Sequence, residues 1–463
     1  MRKIHKEIFD YHEHSNEIFN LIRNEDWAVF LNSNNKIFTE QRYDIISAQP
    51  IKKIITYQNA TIIEEKGSKQ VFRDDPISIV NDVMKDEFHN DHKDLPFTGG
   101  AIGYFSYDLG NKIESIKKTP YDDLDIPILA FGIYEWAIII DHLKKEIILI
   151  YKTKTDLINS LIDKISSKSF SKIKDDNLKI TNKCTSNLTY DEYIEKFNRI
   201  KSYIEKGDCY QINFSQRFSF DYTGDTWNIY NKLLPTYHSP YSVYINYPFV
   251  KILSYSPERF LNIDNDFVQT KPIKGTRPMI YDKLRDSAIK KDLLLSKKDR
   301  AENLMIVDLL RNDLGKNCEY GSINVKSLFD IETFANVHHL VSTIEGKISK
   351  KSNIFNLING CFPGGSITGA PKIRAMQIIN ELEPNARSIY CGSIGYISSN
   401  KKADLNIAIR TMIAINKKIY FWGGGGIVYD SNAESEYQET LDKIKPILDI
   451  FESNVLQFPK KLG

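Results

Sequence analysis

LNIAIRTMIAINKKIYFWGGGGIVYDSNAESEYQET, residues 405–440, is the stretch that decides the fold. Two strand-like runs, Leu405–Ile415 and Lys418–Trp422, lead through four glycines to a helix predicted from Glu434 to Phe451. Strands followed by a helix favour a layered domain in which helices cover sheets. The glycines either form an ordinary tight turn or let backbone N–H groups approach an anion, and the residues alone leave both interpretations open.

The rest of the chain shows the same mixture without strict alternation of strand and helix, which favours a layered α/β or α+β domain over a Rossmann fold or a barrel. A capping box at Thr189–Glu192 predicts a helix through Lys206, and further helices are predicted at Arg300–Leu314 and Lys372–Ile379. The other predicted strands are Trp27–Asn32, Ile51–Thr56, Ala101–Tyr107, Ile128–Ile140, Glu146–Tyr151, Cys209–Phe220, Tyr241–Ile245, Ile252–Tyr255 and Gly392–Ile397. The pattern changes near residue 180, which divides the chain into an N-terminal part over residues 1–180 and a second part over residues 185–455.

Composition excludes several classes of partner. The 463 residues carry a net charge of only +2, which gives no reason to expect nucleic acid or a membrane surface as partner. The five cysteines are scattered and odd in number, which argues against a disulfide framework or a zinc site. No run of about 18 apolar residues is present, and the N-terminus lacks the apolar core of a signal peptide. We therefore expect a cytoplasmic protein.

Carboxylates on two predicted helices form the first candidate site. Glu436, Glu439 and Lys443 are spaced by three and four residues and so share one helix face, while Glu302 lies on another helix. Carboxylates from separate helices suit Mg²⁺, which takes oxygen ligands. The alternative is that acidic residues in a first helical turn only interact favourably with the helix dipole.

Two further residues carry potential chemistry. Lys274 lies in a turn bounded by Pro and Gly. It is either a solvated surface lysine or a desolvated amine that can act as a nucleophile or base, and the residues alone leave both interpretations open. Glu258 follows a strand, where an apolar neighbour would raise its pKa and make it a general acid. A surface ion pair is the alternative for Glu258. The turn-rich loop 362–372 does not match a phosphate-binding P-loop.

Seven segments in fixed order resemble the chorismate-utilising enzymes, which include anthranilate synthase component I and aminodeoxychorismate, isochorismate and salicylate synthases. They are SPERF (256–260), PIKGTRP (272–278), AENLMIVDLLRNDLG (301–315), VHHLVSTIEG (337–346), FPGGSITGAPK (362–372), YCGSIGYI (390–397) and GGGIV with ESEYQET (424–440). The resemblance implies an α/β (α+β) sandwich of two large sheets packed face to face with helices outside. It also implies one intertwined globular unit, with an N-terminal lobe over residues 1–180 and a chorismate-binding catalytic domain over residues 185–455. WAVFLNS (27–33), RYDIISAQP (42–50), GGAIGYFSYDLG (99–110) and IPILAFGIYEWAIIIDH (126–142) look most like the aminodeoxychorismate branch.

Two positions distinguish members of this family. Relatives that add water have a lysine base where this chain has Gln211, and glutamine cannot take a proton at neutral pH. Anthranilate synthases usually have alanine at the position of Lys274. The resemblance therefore implies amination of chorismate at C4 by ammonia, giving 4-amino-4-deoxychorismate for p-aminobenzoate and folate synthesis. Lys274 would attack C2, and Glu258 would protonate the departing 4-hydroxyl.

The resemblance also implies a ligand set. The Mg²⁺ ligands would be Glu302 and Glu439, with Glu436 close by. The residues expected to contact chorismate are Gln211, His339, Ser366, Tyr390, Arg410, Gly424, Gly425, Gly426 and Lys443. A tryptophan-sized pocket in the N-terminal lobe would involve Arg42, Tyr43, Asp44, Ser47, Pro240 and Tyr241, although simple packing of this lobe is the alternative.

Ammonia must come from another protein, because the chain has no glutaminase motif of the GxCxG type. The resemblance implies a heterodimer with a separate glutamine amidotransferase subunit. Two other functions remain open at this stage. One is anthranilate synthesis, and the other is a catalytically inactive regulator that only binds chorismate or tryptophan.

Overall fold

The computed structural model describes residues 3–34, 42–58, 60–89, 91–171, 178–334 and 337–450. Two large antiparallel sheets, of thirteen and twelve strands, dominate the described chain. In spatial order the first sheet contains β1 (His5–Asp10), β10 (Glu146–Tyr151), β9 (Trp136–Asp141), β3 (Tyr43–Ser47), β2 (Ala28–Asn32), β14 (Tyr241–Tyr247), β15 (Val250–Ser256), β24 (Thr411–Ile415), β25 (Lys418–Ile427), β13 (Gln211–Thr223) and β11 (Lys179–Ile180), with β12 (Thr185–Ser186) and β21 (Gly369–Ala370) also paired to β13.

The second sheet runs in the order β18 (Ile273–Pro278), β20 (Val337–Lys347), β17 (Phe267–Lys271), β16 (Arg259–Asp264), β23 (Lys402–Asn406), β22 (Ser393–Ser398), β7 (Gly100–Phe105), β8 (Leu129–Tyr134), β4 (Lys52–Tyr57), β5 (Ala60–Glu65) and β6 (Ser68–Phe72), with β19 (Asn324–Phe334) also paired to β20. The helices are α1 (Ser15–Phe19), α2 (Pro76–Lys85), α3 (Leu109–Ile113), α4 (Asp156–Ser166), α5 (Tyr190–Glu205), α6 (Thr226–Tyr237), α7 (Lys283–Leu295), α8 (Lys297–Gly315), α9 (Ile354–Cys361), α10 (Lys372–Leu382) and α11 (Ala433–Ile450), and Gly365–Ile367 forms a 3₁₀ turn.

The main core lies between the two sheets, and strand β9 shows how it forms. Ala137 and Ile139 belong to this core, whereas Ile138 and Ile140 point to a second core on the opposite face of the first sheet. Helices α4, α6 and α11 cover that opposite face. Because both faces of the sheet are buried, its strands read as nearly continuous apolar runs. The expected sandwich of two large sheets with outer helices is confirmed.

Helix α5 begins as the sequence predicts. Thr189 accepts a hydrogen bond from the backbone N–H of Glu192, and the Glu192 side chain accepts one in return from the backbone N–H of Thr189. This reciprocal pair is the predicted capping box, and it satisfies two backbone donors at the helix start. The helix ends at Glu205, within one residue of the prediction.

Two predicted strands are each two strands in different sheets. The run Ile128–Ile140 breaks at Glu135, so that β8 lies in the second sheet and β9 in the first. The run Leu405–Ile415 breaks after Asn406, so that β23 lies in the second sheet and β24 in the first. The four glycines after Trp422 continue strand β25 and pair with β13, which corrects the interpretation of a tight turn.

Both sheets contain strands from before residue 180 and strands from after residue 185. Strand β7, for example, pairs with β22 over Gly100–Phe105.

All five cysteines are free, as expected from their spacing. Within the described ranges, no helix is long and apolar enough to cross a membrane.

Candidate active site

Lys274 lies on β18 next to an irregularity in the pairing of that strand with β20. Gly275 has a φ of 76°, which glycine adopts without the strain that a side chain would bring. The Lys274 Nζ atom donates a hydrogen bond to the carbonyl oxygen of Ser366 at 3.1 Å. Burial lowers the pKa of Lys274, and the nearby carboxylates of Glu302 and Glu258 act in the opposite direction. The neutral, nucleophilic amine is therefore easier to reach than in an exposed lysine.

Glu258 connects β15 to β16 and is only 5% exposed. Its backbone is fixed on both sides, since its carbonyl accepts from the Ile407 N–H at 3.0 Å and its N–H donates to the Ser256 hydroxyl at 3.2 Å. Burial raises the pKa of Glu258 to about 7, although a hydrogen bond with the Ser366 side chain and the charge of Lys274 oppose this. A carboxyl group with this pKa can donate a proton near neutral pH.

Three carboxylates lie beside this pair. Glu302 is on α8, and Glu436 and Glu439 are on α11. Burial raises the pKa of Glu302 and of Glu436, and Glu436 also interacts with the charges of both other carboxylates. Burial acts to raise the pKa of Glu439 as well, but Lys443, whose Nζ atom lies 2.7 Å from Glu439 Oε1, lowers it.

The predicted magnesium ligands fit a cation in part. Among the described residues, no group of three or more His, Cys, Asp or Glu side chains already converges as a metal cage. Glu436 Oε2 is nevertheless buried without a hydrogen-bond partner. A Cβ atom at Gly425 would lie 3.0 Å from that oxygen and 3.4 Å from Glu439 Oε1, so the glycine keeps open a space bordered by two carboxylates. Carboxylate oxygens are what Mg²⁺ prefers, and the metal stays a prediction.

Gln211, the first residue of β13, is 1% exposed. Neither its Nε2 nor its Oε1 atom has a hydrogen-bond partner within the described residues. A Cβ atom at Gly426 would lie 2.1 Å from Nε2, so only glycine leaves room for this amide. An unpartnered buried amide costs free energy and points to an absent polar partner.

Arg410 and His339 lie at a further part of the site. Arg410 occupies the corner between β23 and β24 with a φ of 50°, and burial lowers its pKa. The ring of Tyr237 lies 5.6 Å from its guanidinium carbon. His339 Nδ1 is 2.8 Å from the Thr276 hydroxyl, and burial followed by the charge of Arg410 lowers the pKa of His339 to about 3. His339 is therefore neutral, and its Nε2 atom has no partner among the described residues.

Tyr390, Lys443 and the glycines complete the predicted set. The buried ring of Tyr390 stacks on Trp422 with centroids 5.5 Å apart. Lys443 donates to the carbonyl oxygen of Gly424 at 2.6 Å, which attaches α11 to β25. The predicted set thus contains three cationic side chains, Lys274, Arg410 and Lys443, and burial lowers the pKa of the first two. Polar atoms of Gln211, His339 and Glu436 have no hydrogen-bond partner among the described residues. This arrangement suits a small substrate with carboxylates.

Comparisons with known proteins identify the family of the chain. The family described as chorismate binding enzyme matches residues 28–449. This chain belongs to that family. It is 43% identical to the aminodeoxychorismate synthase component 1 of Escherichia coli strain K12, over 93% of this chain and 94% of the relative. It is 35% identical to the anthranilate synthase component 1 of Acetivibrio thermocellus, over 89% and 87% of the two chains.

The solved structures agree on the fold. The anthranilate synthase component I of Streptococcus pneumoniae superposes with a TM-score of 0.77 at 32% identity, covering 89% of this chain and 94% of that one. The menaquinone-specific isochorismate synthase of Escherichia coli has a TM-score of 0.72 at 14% identity and shares the fold. The chain is therefore an enzyme of the chorismate-binding family, with the architecture of anthranilate synthase component I.

The predicted N-terminal pocket of this chorismate-binding enzyme has a counterpart between the sheets. A cavity with about 600 Å³ of empty space, its open mouth included, is lined by Arg42, Tyr43, Pro240 and Tyr241 among others. Asp44 and Ser47 are not among the residues that line this cavity, and their part in a tryptophan site stays a prediction. Asp44 lies 2.9 Å from His142 Nε2, and Ser47 donates to the Trp136 carbonyl at 2.7 Å. These contacts occupy both side chains elsewhere.

Three residues that contact the predicted site residues were not themselves predicted from the sequence. Trp422 stacks on Tyr390, Thr276 bonds His339, and Lys298 lies 4.0 Å from Glu436. Thr276 lies in the PIKGTRP segment and could have been found there. Trp422 and Lys298 carry no signal in the sequence, because their position depends on how separate elements pack.

Proposed function

We propose that this enzyme replaces the 4-hydroxyl of chorismate with an amino group derived from ammonia. The observation that carries the proposal is the pairing of Lys274, whose pKa is lowered, with Glu258, whose pKa is raised to about 7. Burial thus favours the neutral amine, which is the nucleophile, and the protonated carboxyl group, which is the acid. The three aminodeoxychorismate synthase relatives at 40–43% identity support the same activity.

The reaction divides into two displacements. The neutral amine of Lys274 attacks C2 of chorismate, both conjugated ring double bonds shift towards C4, and the 4-hydroxyl leaves as water after Glu258 donates a proton to it. Ammonia then attacks C4, both double bonds shift back, and Lys274 leaves from C2 as the neutral amine. The new C4 ammonium returns a proton to the Glu258 carboxylate. A covalent lysine intermediate makes two easier steps out of one difficult step.

The other residues bind and orient substrate in this proposal. Arg410 has no ion-pair partner among the described residues and would hold a substrate carboxylate in its planar fork. The Gln211 amide would contact the incoming ammonia, while Ser366, Tyr390, His339 and Lys443 would line the pocket. Glu302, Glu436 and Glu439 would hold Mg²⁺, which when bound neutralises a substrate carboxylate.

Ammonia would come from a separate glutamine amidotransferase subunit. The name "component 1" carried by the relatives supports a partner. We also propose that p-aminobenzoate and then folate are the eventual products, and that tryptophan occupies the N-terminal cavity.

The test is incubation of the purified chain with chorismate, Mg²⁺ and ammonium, followed by liquid chromatography and mass spectrometry. We expect an aminated product that an added lyase converts to p-aminobenzoate. Fluorescent anthranilate would instead show that amination occurs at C2, which the similarity to anthranilate synthases makes the main alternative. No Mg²⁺-dependent turnover would point to an inactive binding protein.

A further inference from the structure

A buried ion pair behind the site, Arg387 with Glu383, takes no part in the proposed chemistry. Arg387 is 1% exposed, and its Nε and Nη2 atoms donate to the two Glu383 oxygens at 2.8 and 2.6 Å. Burying two charges costs free energy that their attraction only partly offsets, so such a pair is weak evidence for stability. Its remaining hydrogen bonds indicate what else it does.

Arg387 connects two backbone segments of the site. Its Nη1 atom donates to the carbonyl oxygen of Ile367 at 3.0 Å, and its Nη2 atom donates to that of Asn213 at 2.5 Å. Ile367 follows Ser366, whose own carbonyl accepts from Lys274 at 3.1 Å. The guanidinium is therefore one residue away from the acceptor that locates the proposed nucleophile.

Glu383 extends this connection along β13. Its Oε1 atom accepts from both the backbone N–H and the hydroxyl of Ser215 at 2.8 Å. Together with the bond to Asn213, this fixes the strand that begins at Gln211. The ring of Tyr107 lies 4.6 Å from the guanidinium carbon and covers its remaining face.

We propose that Arg387 is a positioning residue, which holds the 3₁₀ turn at Ser366 against β13 and so sets the distance between Lys274 and the Gln211 amide. This inference rests on the proposed function, because it assigns Lys274 and Gln211 to the two ends of one reaction. The guanidinium makes four hydrogen bonds at once, two to the carboxylate and one to each carbonyl, since its five donors form a fixed planar fork and an ammonium has only three. A lysine retains the charge but loses that fork.

The test compares Arg387→Lys with a matched control, Arg217→Lys. Arg217 lies on β13 and, like Arg387, donates two hydrogen bonds to one carboxylate, that of Asp123, at 2.8 and 2.7 Å. Within the described residues, its side chain makes no hydrogen bond to a proposed site residue. We expect Arg387→Lys to lower kcat for amination by about 30- to 100-fold, as displacement of reacting groups by about 1 Å does. We expect KM for chorismate to change less than about threefold, because Arg410 and the carboxylates remain in place.

The melting temperature of each variant separates positioning from stability. Equal kcat in the two lysine variants, or a loss of kcat that only follows the folded fraction, would overturn the proposal. If Arg387→Lys does not fold, the double variant Arg387→Met with Glu383→Gln removes both charges and keeps an acceptor for Ser215. The kcat and KM of this double variant are then compared with those of Arg217→Lys, and equal kcat values would again overturn the proposal. Product analysis of the wild type is run alongside, so that failure of the proposed amination is seen separately from failure of the positioning role.

Discussion

At the scale of single residues, burial sets the protonation states on which the chemistry depends. Lys274 and Glu258 depart from their ordinary pKa values in opposite senses, and in both cases loss of hydration is the largest cause. Each side chain partly offsets the shift of the other, because the ammonium and carboxylate forms attract. Burial therefore favours the neutral amine and the protonated carboxyl group over the two charged forms that separate exposed groups would have.

Removal of the nucleophile is the most direct change at this scale. We expect Lys274→Ala to lower the rate of amination by at least about 10³-fold, because the covalent route is lost. Exposed Lys326, which pairs with Glu345 at 2.9 Å, provides the control Lys326→Ala. Product formation followed by mass spectrometry measures both. Retention of most of the activity in Lys274→Ala would exclude the covalent role.

The pKa of Glu258 predicts a pH dependence. The protonated acid is the active form, so kcat/KM for chorismate should fall as pH rises through about 7 when free ammonia is held constant. Glu258→Gln should be slower by about 10²- to 10⁴-fold and should lack this limb. A pH–rate profile of each enzyme checks the prediction. An unchanged falling limb in the glutamine variant would assign it to another group.

The sequence predicted which residues belong to the active site better than it predicted which side chains surround them. Lys274, Glu258 and Ser366 come from three separate segments and lie together in the structure. Tyr43 and Ile45 line the cavity and Asp44 between them does not, because successive residues of β3 point to opposite faces, and nothing in the sequence shows which face lines the cavity. Side-chain direction follows from strand register, which only the packed sheet defines.

At the scale of elements, the sandwich depends on strands that pass from one sheet to the other. Both predicted runs that failed, Ile128–Ile140 and Leu405–Ile415, cross between the sheets. Residues on both sides of each break are buried, so the apolar pattern continues through the corner and hides it. The second corner contains Arg410, whose left-handed backbone is uncommon for a residue with a side chain.

The glycines of β25 give a prediction for metal binding. A Cβ atom at Gly425 would enter the space beside Glu436 and Glu439, so Gly425→Ala should weaken Mg²⁺ binding by about tenfold or more. Gly315→Ala is the control, since the nearest atom to its added Cβ would be 3.8 Å away. Calorimetric titration with Mg²⁺ measures both variants. Wild-type affinity in Gly425→Ala would place the metal elsewhere.

The hydrogen bond between Asp108, just before α3, and Ser388, which follows α10, gives a prediction for the pH dependence of stability. Burial raises the pKa of Asp108 to about 7, although the carboxylate accepts the Ser388 N–H at 2.7 Å. A carboxyl pKa that is higher in the folded than in the unfolded state makes folding less favourable as pH rises from about 4 to 7. Asp108→Asn does not titrate and keeps an acceptor for this N–H.

We therefore expect Asp108→Asn to match the wild type near pH 4 and to be more stable by on the order of 1 kcal/mol at pH 8. Melting temperatures across this pH range measure the difference. Exposed Asp163→Asn is the control. A difference that does not grow with pH would mean that Asp108 is ionised in the folded protein at no cost.

At the scale of the whole molecule, neither sheet belongs to one half of the chain. The pairing of β7 with β22 and of β2 with β14 joins residues before 180 to residues after 185. Local sequence rules predict the individual strands but not these long-range pairings, because period-2 patterns do not specify partners. Only the resemblance to the chorismate-utilising enzymes predicted the two-sheet architecture.

The most direct test of the account is a search for the covalent intermediate. Wild-type enzyme is incubated with chorismate and Mg²⁺ without ammonium, quenched, digested and mapped by mass spectrometry. We expect a peptide that carries chorismate less one water on Lys274, and we expect added ammonium to discharge this adduct as the aminated product. An enzyme that forms the aminated product with ammonium but never carries such an adduct would exclude covalent catalysis by Lys274.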